Sequence, residues 1–335
     1  MKAMVVRSPR SPMVPEDRPV RAPGPGEIRM KVHACGICHS DQLVTDGLWP
    51  GLQLPRVPGH EVAGVIDALG EGVTHLRVGQ RVGVGWHGGH DGTCDACLNG
   101  HFIHCRQGRI TGISIDGGYQ EYLVAPAVAV ARMAEGLDFA EAAPLLCAGV
   151  TTFNALRHSG ARAGDLVGIQ GLGGLGHVGL QYARAMGFEV VAISRGPEKE
   201  EFARKLGAHH YVDSGRSDFG EAMAKLGGAQ VILATAPNAK AISALVAGLG
   251  IGGCLLIVGA PFEPIAIGAI DLISRTARVQ GWASGTAADS TDAMAFAVKH
   301  GVRPMIERFP LSEATRAVET MLKGTIRFRG VLDVA

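Results

Sequence analysis

The apolar positions change period once along this chain, near residue 138. Before that point they recur at strand spacing. Residues 28–32, 62–69 and 81–85 read as strands, and the opening 1–6 reads as a first strand. Proline and glycine punctuate them, as in the stretch 21–26, so the region 1–130 is predicted to be all β. Beyond 138 the pattern alternates. Residues 142–158 are apolar at helical spacing, and 166–170 is a short buried-type strand. Then follow a predicted helix at 177–186, a strand at 189–193, a helix at 199–206, and short strands at 211–212 and 231–234. Strands alternating with helices predict a parallel α/β sheet. Helices are predicted at 291–300 and 312–322, and a closing strand at 330–334. The uncharged run 241–262 is long enough to span a membrane, but Gly248, Gly250, Gly252 and Gly253 interrupt it. A short helix, a glycine turn and a buried strand at 254–258 are expected instead, with no membrane partner.

Composition narrows the class further. A length of 335 residues suits about two domains. Hydrophobic residues at 47% against 19% charged exclude a disordered chain. A net charge of +1 without a basic block gives no reason to expect nucleic acid as a partner. The start lacks the apolar core of a signal peptide. The seven cysteines are odd in number and partly clustered, which favours metal binding over disulfides and a reducing, cytoplasmic setting.

Two constellations carry chemistry. Cys38 and Cys147 supply thiolates, His60 an imidazole and Glu61 an adjacent carboxylate. Three such ligands around zinc leave a fourth position open for water or substrate, which makes the metal a Lewis acid. The second constellation is Gly171-Leu172-Gly173-Gly174-Leu175-Gly176, between a predicted strand and a predicted helix. In that setting the glycines let the backbone approach a pyrophosphate at a helix N-terminus. Zinc together with a nicotinamide points to hydride transfer between an alcohol and a carbonyl. The strand after the loop ends at Ser194-Arg195, where NAD-binding chains usually carry an acid for the ribose. Ser194, Arg195 and Lys199 suit a 2′-phosphate instead, which favours NADP(H) over NAD(H).

Five motifs occur in one order: Cys35-Gly36-Ile37-Cys38-His39-Ser40-Asp41, Pro58-Gly59-His60-Glu61, cysteines at 94–105, Leu146-Cys147-Ala148-Gly149-Val150-Thr151, and the glycine loop; Gly330-Val331-Leu332-Asp333 closes the chain. In this the chain resembles the zinc-dependent medium-chain alcohol dehydrogenase family over nearly its whole length. The resemblance implies a GroES-like, β-rich catalytic domain at 1–148, completed by 286–335. It also implies a Rossmann, doubly wound parallel-sheet cofactor domain at 149–285. It makes Cys38, His60 and Cys147 ligands of a catalytic zinc, with Glu61 behind the metal and Asp41 holding the far nitrogen of His60. Ser40 would accept the alcohol proton. Many relatives continue that relay with a histidine where this chain has Leu43, so the relay is shortened or completed by water. Thr151 and Leu175 would flank the nicotinamide, and His39 and Arg329 would face the pyrophosphate.

Relatives often carry four cysteines in the second cluster; here Asp91 stands with Cys94, Cys97 and Cys105. Three arrangements fit: a structural zinc bound by all four, which is favoured and gives two zinc ions per chain; a weaker, partly filled site; or substitution by His90 or His104. Trp49 and Trp86 match the tryptophan pair of microbial ethanol dehydrogenases and would narrow the pocket for a small or flat substrate, unless they are core packing. The activity implied is reversible oxidation of a primary aliphatic or aromatic alcohol to an aldehyde, in a homodimer or homotetramer. Alternatives are a polyol dehydrogenase of the same fold, disfavoured because such relatives commonly have Glu at the position of Cys147, and a non-catalytic NADPH-binding protein.

Overall fold

The computed structural model describes residues 1–215 and 219–334; positions 216–218 and Ala335, which fall inside the two predicted domain ranges, lie outside the described residues. The chain forms two compact units, Met1–Val150 with Gly285–Ala335, and Thr151–Ser284.

The first unit is built on a seven-stranded sheet. Its central strand, Glu27–Gly36, alternates buried and partly exposed residues before ending in three buried ones. The first half of that strand pairs on one edge with Tyr122–Pro126, and its last residues pair with Arg329–Asp333. Its other edge pairs with Val62–Leu69 along its length. The C-terminal strand is thus stitched beside the end of the central strand, on the edge opposite Val62–Leu69. One apolar core, including Ile28, Met30, Val32, Val62, Val82, Val84, Leu123 and Leu332, underlies this sheet.

The second unit is a six-stranded parallel sheet. In space its strands run His210–Asp213, Glu189–Ser194, Leu166–Gln170, Ala229–Ala234, Leu249–Ile257, Arg278–Gly281. Numbered by sequence this is the order 3-2-1-4-5-6 of the Rossmann fold, which reverses direction between Leu166–Gln170 and Ala229–Ala234. Leu166–Gln170 is buried throughout, as a central parallel strand must be.

Several predicted elements differ in detail. The uncharged run does not contain a free glycine turn. After the helix Ala239–Ala244 and a 3-10 turn, one strand, Leu249–Ile257, runs through Gly250, Gly252 and Gly253. The glycines absorb a register shift against Ala229–Ala234, which isolated sequence spacing cannot distinguish from a turn. The predicted helix 142–158 starts earlier, at Phe139, and runs to Arg157 with a π-helical segment inside it. That helix alone is long and apolar enough to cross a membrane among the described residues, and it is mostly buried within the protein. Two helices begin near their caps: Ala287–His300 is preceded by Thr286, whose hydroxyl and Asp289 form a capping box. Ala314–Leu322 follows a 3-10 turn.

Candidate active site

Cys38 ends the turn after the central strand. Its backbone is extended, and it caps a short 3-10 turn, His39–Asp41. Asp41 reaches back so that its Oδ2 accepts from the Cys38 N–H at 2.9 Å. His60 and Glu61 immediately precede Val62–Leu69. Gly59 turns the chain into them at φ +98°, and a Cβ there would lie 2.4 Å from the Tyr119 ring. Cys147 lies in the π-helical segment Leu145–Gly149, just after Pro144. A π-bulge shifts the side-chain phase of a helix and is frequent at functional sites.

These elements gather Cys38, His60, Glu61 and Cys147 so that one ligand atom of each lies within 4.8 Å of every other. The two sulfurs are 3.9 Å apart. His60 is 1% exposed and directs Nδ1 to Asp41 Oδ1 at 3.2 Å. Its Nε2 is buried without a hydrogen-bond partner, as is Glu61 Oε2. An orphaned imidazole nitrogen beside two thiols is costly unless something binds it, and the donor set fits zinc. The Cys147 sulfur and then His60 hold the Cys38 thiol well below its ordinary value, against burial. The contact with Cys38 and then burial hold Cys147 well above its own. Burial works against a charged His60, but Asp41 holds it well above the usual histidine range.

Arg329, expected to face a pyrophosphate, has its guanidinium against the Glu61 carboxylate. Both residues are buried, and the pairing follows from the strand order: Arg329–Asp333 and Val62–Leu69 flank the same central strand. Burial pushes the Glu61 carboxyl up to about 7 against the pull of Arg329. Burial also opposes the charge on Arg329, but Glu61 and the thiols hold its guanidinium above its ordinary value, so we take the pair as charged. Gly36 is required here, since a Cβ would meet Glu61 Oε2 at 1.9 Å.

Of the remaining predicted residues in this unit, His39 is exposed and Ser40 is partly buried. Trp49 and Trp86 meet edge to face at 6.1 Å, and Trp86 stands edge-on to His60 at 5.0 Å. Asp91, Cys94, Cys97 and Cys105 form a second group, also with ligand atoms within 4.8 Å. Cys94 caps the four-residue helix Asp95–Leu98, which carries Cys97. Asp91 Oδ1 accepts from the Thr93 and Cys94 N–H groups, the Cys94 and Cys105 sulfurs are 3.8 Å apart, and the Asp91 N–H donates to Cys105 Sγ. These backbone bonds hold the Asp91 carboxyl well below its usual range. His90 points away from the group, to His87 at 3.1 Å and the Phe102 ring.

In the second unit the glycine loop joins Leu166–Gln170 to the helix Gly176–Ala185, with Leu175 at its N-cap. Gly171 has φ +89°, and a Cβ on Gly176 would meet Gly171 O at 1.7 Å. A Cβ on Gly173 would meet nothing within 4 Å, and Gly173 is exposed. Two glycines close the turn and the third leaves backbone open to a ligand at the point where the strand order reverses, which fits a pyrophosphate. Gly174 is partly buried, and Thr151 sits buried in the first turn of Val150–Arg157. Ser194 is buried at its strand end, while Arg195 and Lys199 are exposed. Sequence reading missed two acids beside this turn. Asp213 Oδ1 accepts from the Gly196 N–H at 3.0 Å, and the Glu198 carboxylate lies over Gly196. Tyr211 donates to Gly196 O at 2.6 Å. Asp213 and Tyr211 come from the neighbouring strand, so only the sheet pairing reveals them.

A GroES-like unit carrying a cysteine–histidine cluster, together with a Rossmann unit, defines an oxidoreductase of the dehydrogenase type. Residues 24–135 match the alcohol dehydrogenase GroES-like domain, and residues 174–299 match the zinc-binding dehydrogenase family. The chain is 45% identical to alcohol dehydrogenase notN of an Aspergillus species, over 99% of this chain and 98% of that one. A cinnamyl alcohol dehydrogenase of Sorghum bicolor superposes with a TM-score of 0.89 at 34% identity, covering 99% of this chain and 97% of that one. An NAD-dependent alcohol dehydrogenase superposes at 0.92 with 26% identity over the full length of both. The chain belongs to the zinc-dependent medium-chain alcohol dehydrogenase family.

Proposed function

We propose that this protein interconverts primary alcohols, small aliphatic or aromatic, and their aldehydes, with NADP(H) preferred over NAD(H). The observation that carries the reading is the clustering of buried Cys38 and His60 with the half-buried Cys147, with His60 Nε2 unpartnered. Cys38, His60 and Cys147 would hold a zinc ion, which would supply Lewis acidity toward an alcohol hydroxyl or a carbonyl, with a nicotinamide supplying or taking the hydride. With a metal bound, Asp41 would keep the remaining His60 proton on Nδ1 and leave Nε2 as the ligand atom. Ser40 accepts the proton leaving the alcohol and passes it to water, since Leu43 cannot continue a relay. Trp49 and Trp86 bound the substrate side and exclude bulky, branched alcohols. Asp91, Cys94, Cys97 and Cys105 would hold a second, structural zinc. The glycine loop receives the pyrophosphate. Ser194 and Arg195 would receive the 2′-phosphate, beside the turn where Asp213 Oδ1 accepts from the Gly196 N–H.

A polyol dehydrogenase is the weaker reading, because the third ligand here is a cysteine. The test is a panel of primary alcohols, polyols and aldehydes, run with NADH and NADPH in parallel on metal-replete protein. A charged hydrogen bond to the phosphate contributes about 1.5–3 kcal/mol, or roughly ten- to a hundred-fold. NADPH should exceed NADH in kcat/KM by about that factor, and Ser194→Asp should reverse the order. A wild-type preference for NADH overturns the cofactor assignment. Faster turnover of polyols than of primary alcohols overturns the substrate class.

A further inference from the structure

Tyr119 is fully buried in the first unit and belongs to none of the motifs above. Its hydroxyl donates to Asp41 Oδ2 at 2.8 Å. That oxygen also accepts from the Cys38 N–H, while Oδ1 of the same carboxylate faces His60 Nδ1. The carboxylate is therefore held on three sides, at 2% exposure, with no water needed to fix its plane. The ring also acts on the backbone. It packs over Gly59, the residue before His60, where a Cβ would overlap it. The segment is tied to the histidine's own loop by Gly117 N–H to Val57 O, Gly118 N–H to Gly59 O and Tyr119 N–H to Pro58 O.

We infer that Tyr119 is a positioning residue for the metal-binding imidazole, its phenol fixing Asp41 and Asp41 fixing the tautomer and aim of His60. The inference rests on the reading that Cys38, His60 and Cys147 hold zinc. Burial, and then the Asp41 charge, push the phenol well above its ordinary range, so it remains an O–H donor across the working pH. Without it, one oxygen of a buried carboxylate loses a donor and the group can turn about its Cβ–Cγ bond. His60 then spends part of its time with Nε2 misdirected. Partners that orient a ligand directly change metal affinity by about 10–100-fold. Tyr119 acts one bond further out, so the low end, about tenfold, is expected.

The test uses zinc-loaded, full-length protein challenged with a chromophoric chelator, recording zinc release with time. The phase abolished by Cys38→Ser reports the site of interest, and any other phase serves as an internal control. Tyr119→Phe keeps the ring over Gly59 and should speed that phase about tenfold while leaving the control unchanged. In an Asp41→Asn background it should add little, because both changes break the same chain of contacts. An unchanged phase in Tyr119→Phe, or effects that simply add, overturns the inference, since a merely structural ring would behave that way. Absence of any phase sensitive to Cys38→Ser overturns the zinc reading and this inference with it. Should Tyr119→Phe fail to fold, Asp41→Asn alone decides: a wild-type release rate overturns the inference, because the phenol acts only through Asp41, and a faster one supports it.

Discussion

Replacing Arg329 with methionine should destabilise the first unit strongly, and more so at high pH. Methionine keeps the length and apolar bulk of the arginine stem but removes the charge facing Glu61. Glu61 is 0% exposed, and its Oε2 already lacks a partner. Removing one member of a buried ion pair costs about 3–5 kcal/mol, because the other must either stay charged and uncompensated or take up a proton at a pH where the unfolded chain has released it. For a unit of about 200 residues, each kcal/mol is worth roughly 2–4 °C, so Tm should fall by about 6–20 °C at pH 8. The loss depends on pH with a defined sign. Burial already raises the Glu61 carboxyl from 4.5 to about 7 with Arg329 present, and removing the cation raises it further. The folded variant then holds a proton that the unfolded chain releases above about 4.5. Its stability is therefore greatest below that value and falls as pH rises through the folded pKa. Urea denaturation at pH 5.5 and 8, with excess zinc and again after chelation, separates this effect from loss of metal. The double change Glu61→Leu with Arg329→Met should recover most of the stability, since an apolar pair of similar volume has no charge to bury. A loss under about 1 kcal/mol at pH 8, or an equal loss at both pH values, refutes the account of a buried charged pair.

Asp91→Ala should lower zinc content from two ions per chain towards one without abolishing turnover; metal analysis that finds no change removes Asp91 from the site. Ser40→Ala should lower kcat far more than it weakens cofactor binding, and an unchanged pH–rate profile with unchanged kcat would assign the proton path to water. Gly176→Ala forces a Cβ into Gly171 O and should abolish nucleotide binding, measured by cofactor fluorescence, while zinc release stays at the wild-type rate.

The sequence alone determined what depends on local spacing. A switch from period two to alternating strands and helices marks the two architectures, because apolar faces must follow the geometry of the element that buries them. The glycine loop was legible because only glycine accommodates its φ of +89° and its close backbone approach. The clustering of Cys38, His60 and Cys147 was legible as metal-binding chemistry, since thiols and an imidazole in motif order have few other uses. Their partners were not. Arg329 lies 268 residues from Glu61 and Tyr119 lies 78 from Asp41. Asp213 reaches the Ser194–Gly196 turn only because its strand pairs alongside. Such contacts are set by strand order and register, which place distant segments side by side, and no periodicity along the chain encodes which strand becomes whose neighbour. The chain by itself supplied the reactive groups; the tertiary fold decided which buried charge faces which, and so how each group is held and charged.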